Sequence, residues 1–187
     1  MLVVLLIVGM VSGLLFDGAT QLMGMQTRLE RQLAMARGDA LRADWLRQLV
    51  QGLQPDYPEG TQIFKGSARE FSGLTTNPLT ASYGGLQPFT VTLTHDAAND
   101  RMLLGYGNGS NASVLLSWPG ARGGLRYVDN QGESHEVWPP PLGLWPQLPI
   151  AIELDGERDG APWVIVAAPF GPKRTNPRPS DLFGVVR

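Results

Sequence analysis

Met1-Leu-Val-Val-Leu-Leu-Ile-Val-Gly-Met-Val-Ser-Gly-Leu-Leu-Phe16 is the stretch on which the reading of this chain turns. Ser12 is its one polar side chain, and the first charge is Asp17. A free-standing membrane helix needs about 20 apolar residues, so sixteen is slightly short. A secretory signal peptide would open on Lys or Arg and close on a small-residue cleavage site. Here no basic residue precedes Arg28, and the helical pattern runs on past Phe16. A buried core helix is the remaining rival. The expectation is a membrane or assembly helix whose packing residues are Leu2, Val4, Leu5, Val8, Gly9, Ser12, Gly13 and Phe16. Gly9 and Gly13 form a small-xxx-small pair of the kind that lets helices approach closely in lipid.

Working outward, the first proline is Pro55, so nothing forces a break before it. Leu22, Met25, Leu29, Leu33, Ala36 and Ala40 recur at spacings of three and four, as an amphipathic helix requires. Leu41, Trp45, Leu49 and Leu53 continue the stripe at spacing four and are expected to pack the helix on the body. Arg28, Glu30, Arg31, Arg37, Asp39, Asp44 and Arg47 fall mostly outside it. Pro55 and Pro58 are expected to end the helix. The chain then divides into a helix over 1–54 and a globular domain over 55–187.

The globular part reads as strands. Phe89, Val91 and Leu93 alternate along Pro88–Leu93, and Arg101–Tyr106 returns after the polar turn His95–Asp100. Val114–Trp118, Leu125–Val128 and His135–Trp138 follow. Ile150–Leu154 and Trp163–Ala167 flank Asp155–Gly160 as a last hairpin. The tail from Pro169 is expected to be extended or disordered. The fold class read here is α+β, a long N-terminal helix packed on an antiparallel sheet body.

Composition closes several functional classes. A net charge of −2 gives no electrostatic footprint for nucleic acid. With no cysteine, thiol catalysis, disulfides and Cys-based metal sites are excluded. Asp155-Gly-Glu157-Arg-Asp159-Gly160 echoes the start of a calcium loop, but its required Glu would fall on Val166, so a hairpin turn is the better reading. His95 and His135, the only histidines, sit near turns and outside any nucleophile motif. Gly105-Tyr-Gly107-Asn-Gly109 leads into more strand and not into a helix, so it is no phosphate loop. Asn108-Gly-Ser110 and Asn111-Ala-Ser113 matter only in a eukaryotic secretory setting. Trp118, Trp138, Trp145 and Trp163 are expected in the core or at a subunit interface. No catalytic residue, metal or cofactor is expected.

Leu2–Phe16 resembles the N-terminal helix of type IV pilins and type II secretion pseudopilins. In that family a leader ending in Gly precedes a processed Phe-Thr-Leu-x-Glu, and the resemblance implies such residues upstream of Met1. Phe64-Lys-Gly66 with Glu70-Phe71, Trp145–Leu154 with its Leu-Pro pair, and Gly160–Val166 resemble segments of the J-type minor pseudopilins. The resemblance implies a single-pass subunit of the bacterial inner membrane with its body in the periplasm. Its partners would be I-like and K-like minor pseudopilins and the major pseudopilin, met through helix and body, with no small-molecule substrate. The alternatives are a type IV pilus minor pilin and a membrane-tethered periplasmic ligand-binding domain.

Overall fold

The computed structural model describes residues 38, 40–79, 85–107, 112–158 and 160–175. The chain divides into two compact units, Met1–Leu41 and Arg42–Arg187. Nearly all described residues belong to the second, to which the following refers.

The α+β expectation is corrected. The described residues are mostly β, in two antiparallel sheets with one short helix, α1, over residues 40–51. They contain no long helix, and none long and apolar enough to cross a membrane. The expected packing residues Leu2, Val4, Leu5, Val8, Gly9, Ser12, Gly13 and Phe16 lie outside the described residues.

The strands are β1 (Leu53–Gln54), β2 (Lys65–Gly66), β3 (Glu70–Thr75), β4 (Gln87–Asp96), β5 (Arg101–Tyr106), β6 (Ser113–Pro119), β7 (Gly123–Val128), β8 (Ser134–His135), β9 (Ala151–Arg158) and β10 (Ala161–Ala167). The first sheet runs β1-β3-β4-β5-β6, and β2 also pairs with β3. The short strands β1 and β2 share one edge of β3, opposite Leu74–Thr75 and Phe71–Ser72 respectively. The second sheet runs β10-β9-β7-β8.

Alternation explains which face each strand buries. Phe89, Val91 and Leu93 of β4 point inward with Met102, Leu104 and Tyr106 of β5. Leu125 and Tyr127 of β7, Ile152 and Leu154 of β9, and Ile165 and Ala167 of β10 face them from the second sheet. The β4–β5 hairpin closes on Asp96, which accepts hydrogen bonds from Ala98 N and Asn99 Nδ2. His95 pairs there with Asp100 at 3.2 Å, not with adjacent Asp96. The calcium-like run is the β9–β10 hairpin: Arg158 stands opposite Ala161, leaving two residues in the turn.

Aromatic pairs fasten the sheets. Phe64 lies 6.1 Å from Phe71 and edge-on to Tyr127 at 6.0 Å. Trp118 of β6 meets Trp163 of β10 edge to face at 4.9 Å. Gly156 stands directly opposite both Gly123 and Trp163. A Cβ at Gly156 would lie 2.4 Å from the Trp163 ring, so the indole needs a glycine beneath it.

The helix stripe also needs correction. Ala43, Leu46, Leu49 and Val50 are the buried face of α1, whereas Leu41 and Trp45 are 58% and 46% exposed. A spacing of four advances about 40° around a helix at each step, so a strict four-residue stripe drifts off any face it starts on. Spacings of three and four combined stay on one face. Leu53 is buried, but as part of β1 and not of the helix. Helix α1 ends before Gly52, ahead of Pro55, because its last carbonyls are claimed from outside. Thr75 Oγ1 donates to Leu49 O at 3.0 Å and Asn77 Nδ2 to Gln48 O at 3.0 Å.

Candidate interaction surface

Between β8 and β9 the chain runs Val137-Trp-Pro-Pro-Pro-Leu-Gly-Leu-Trp-Pro-Gln-Leu-Pro149. Strand β9 begins at Ala151, one residue after the expected Ile150, so Trp145–Ile150 belongs to this loop. Trp138 is fully buried, and its backbone exchanges two 2.8 Å hydrogen bonds with Gly66 of β2. The Trp138–Pro139 peptide is cis. Trp138 Nε1 donates to Gln147 O at 3.0 Å, closing the loop on itself. Leu148 is buried, and its N–H donates to Lys173 O at 3.0 Å. Gln147 Oε1 accepts from Asp56 N. Five prolines and these ties hold the loop with little backbone freedom left to lose on binding.

A rigid base carries an apolar tip. Leu142 is 83% exposed and Leu144 104%. Trp145 Nε1 donates to Leu142 O at 2.6 Å, bracing the turn between them. Beside the tip opens a cleft of about 730 Å³ lined by Leu144, Trp145, Ile150, Lys173 and Arg174 among others, and by no carboxylate among the described residues. Lys173 Nζ donates to the carbonyls of Pro169 and Gly171. Burial lowers its pKa from the ordinary lysine value.

Beneath the loop, Asp129 organises the turn Asp129–Gly132. Its Oδ1 accepts from Gln131 N at 2.8 Å and Glu133 N at 3.0 Å, and its Oδ2 meets His135 Nε2 at 2.8 Å. The His135 ring stands edge-on to Trp145 at 5.3 Å. The hydrogen bond with His135 holds the Asp129 carboxyl below the usual carboxylate range, helped by the two backbone N–H groups and opposed by desolvation. A group whose folded pKa is depressed contributes stability that is present above its unfolded pKa of about 3.9 and fades as pH falls through the folded value. Asp129→Asn is therefore expected to flatten the acid limb of thermal stability, below about pH 4, relative to the native chain. Melting temperatures measured across that range check this, and parallel limbs in both proteins refute it.

Of the four residues expected to pack helix on body, the structure buries Leu49 and Leu53 and leaves Leu41 and Trp45 on the surface. Trp118 and Trp138 are buried, while Trp145 and Trp163 are packed at the margin of the core. Sequence reasoning passed over Leu142 and Leu144. The available signal was two leucines in a proline-rich stretch with no strand or helix period, where an apolar side chain has no regular element to bury it. Among the described residues, no group of three or more His, Asp or Glu side chains is placed to hold a metal ion. The chain matches no protein-family model and no curated protein.

Proposed function

We propose that this chain is a membrane-tethered assembly subunit without catalytic activity, a minor pseudopilin of type II secretion of the J kind. The observation that carries the reading is the uninterrupted apolar run Met1–Phe16, joined in sequence to a folded body. An apolar helix is stable in lipid and can exchange lipid contacts for those of like helices as a filament grows, exposing little apolar surface in either state. Gly9 and Gly13 support close approach of such helices. The rigid loop with its apolar tip, and a body built of two sheets, suit a part that works by contact.

The test is co-purification of the detergent-solubilised chain with I-like and K-like minor pseudopilins. Gly9→Leu and Gly13→Leu are expected to reduce incorporation into the assembly severalfold while the body keeps its melting temperature. Normal incorporation of both variants removes the glycines from the mechanism. Co-purification with type IV pilus subunits alone would place the chain in that machine instead. Failure to associate with any such subunit, together with retained small-molecule affinity, would refute the assembly reading.

A further inference from the structure

The loop tip and the cations beside it fit one kind of surface. Leu142 and Leu144 project into solvent, and the partly exposed Ile150 lines the same cleft as Leu144. A side chain more exposed than its own reference state stands proud of the surface, and such a side chain inserts into something soft or concave. Trp145, apolar in body with a polar N–H, lies directly behind them, the placement favoured at a lipid–water boundary. Lys173 and Arg174 line the adjoining cleft, and among the described residues neither has a carboxylate partner. An apolar tip beside uncompensated cations is complementary to a sheet of anionic headgroups over hydrocarbon.

We propose that the Leu142–Trp145 tip inserts into an anionic lipid surface, with Lys173 and Arg174 at the level of the headgroups. The inference rests on the membrane tether proposed above, which supplies the high effective concentration that makes a weak two-leucine contact significant. Rigidity contributes as well, because a loop already fixed by Trp138, Gln147 and Leu148 has little entropy to lose on insertion. The contact reads membrane charge, which the apolar segment Met1–Phe16 does not.

The chain has no cysteine, so a single Leu144→Cys carries one environment-sensitive fluorophore without background. The full chain is reconstituted into phosphatidylcholine vesicles, with or without about one third phosphatidylglycerol. A second label at Thr94→Cys, on an exposed position of β4, is the reference. The expected result is a blue shift and quenching by brominated lipid at position 144 but not 94. It should require phosphatidylglycerol and be lost near ~1 M salt. Arg174→Gln is expected to lower the inserted fraction about fivefold, and Leu142→Ser by about tenfold or more. Both substitutions are on the surface and leave the fold intact.

A chain that floats with vesicles while the label at 144 stays aqueous overturns the inference and leaves the tether standing. A chain that floats with neither vesicle refutes both. A shift at 144 that needs another pseudopilin and not lipid makes the tip a protein contact, and also overturns the inference.

Discussion

Trp138→Ala is expected to lower the stability of the body by about 3–5 kcal/mol, the range for deleting a large buried aromatic side chain. For a chain of this size that corresponds to a fall in melting temperature of about 10 °C or more. Trp138 is 1% exposed. Its ring packs 5.9 Å from Trp145 and 6.3 Å from His135, and its Nε1 holds Gln147 O. Truncation leaves a cavity under the loop and an unpaired carbonyl at Gln147. Trp138→Phe should fill most of the cavity and recover part of the loss, leaving mainly the missing hydrogen bond, about 1–3 kcal/mol. Chemical denaturation of the three proteins measures this. A loss below about 1 kcal/mol for the alanine variant would mean that the loop is not part of the cooperative core.

Gly66→Ala is the second large effect. A Cβ at Gly66 would lie 2.2 Å from Cζ of Tyr127. The phenol cannot swing away without cost, because Tyr127 is fully buried and its hydroxyl donates to Ser67 O at 2.8 Å, with Glu70 O at 3.1 Å. The same burial raises the Tyr127 pKa above that of an ordinary phenol. One methyl group therefore has to push apart the segment that stitches the sheets together, where Leu125 N also donates to Ala68 O at 3.0 Å and Arg69 Nη1 to Gly123 O at 3.0 Å. The expected loss is at or above the usual ~1–3 kcal/mol for overpacking. Gly105→Ala is the control. Its Cβ would meet nothing closer than Ala112 at 3.5 Å, an ordinary contact. That substitution should be neutral or stabilising by up to ~1 kcal/mol, through reduced freedom of the unfolded chain. Equal destabilisation by both would remove the Tyr127 clash as the cause.

Legibility in the sequence followed regularity. Strands β4, β5, β9 and β10 were readable because their inward positions are apolar at every second residue. Strand β3 was not, since its inward positions are Phe71, Gly73 and Thr75, and only the first looks like core. Gly73 is inward because it lies under Phe64, with Cδ2 3.2 Å from where a Cβ would be, and Thr75 because its hydroxyl caps α1. Both reasons involve residues elsewhere in the chain. The helix stripe failed for a similar reason. Trp45 and Leu49 both belong to that apolar stripe, and only the position of the sheets decides which of them is covered.

The loop makes the division sharpest. Leu142 and Leu148 are the same residue type, a few positions apart in one proline-rich run, yet one is 83% exposed and the other 1%. Leu148 is buried because its neighbours tie it to Trp138 and to Lys173. Leu142 is exposed because the chain turns outward past Pro139–Pro141 and comes back at Trp145.

By itself the sequence determined the apolar run Met1–Phe16 at the start of the chain, the absence of cysteine chemistry and the alternating strands of the body. Each is a local property, set by side-chain type and spacing. Only the tertiary structure decided that the two sheets are joined where Leu125 N of β7 donates to Ala68 O just past β2, that Gly66 fastens the Trp138 loop to the first sheet, that α1 turns Ala43, Leu46, Leu49 and Val50 inward, and that Leu144, Lys173 and Arg174 share one cleft. Those outcomes depend on which distant segments meet, and a period along the chain carries no information about its partner.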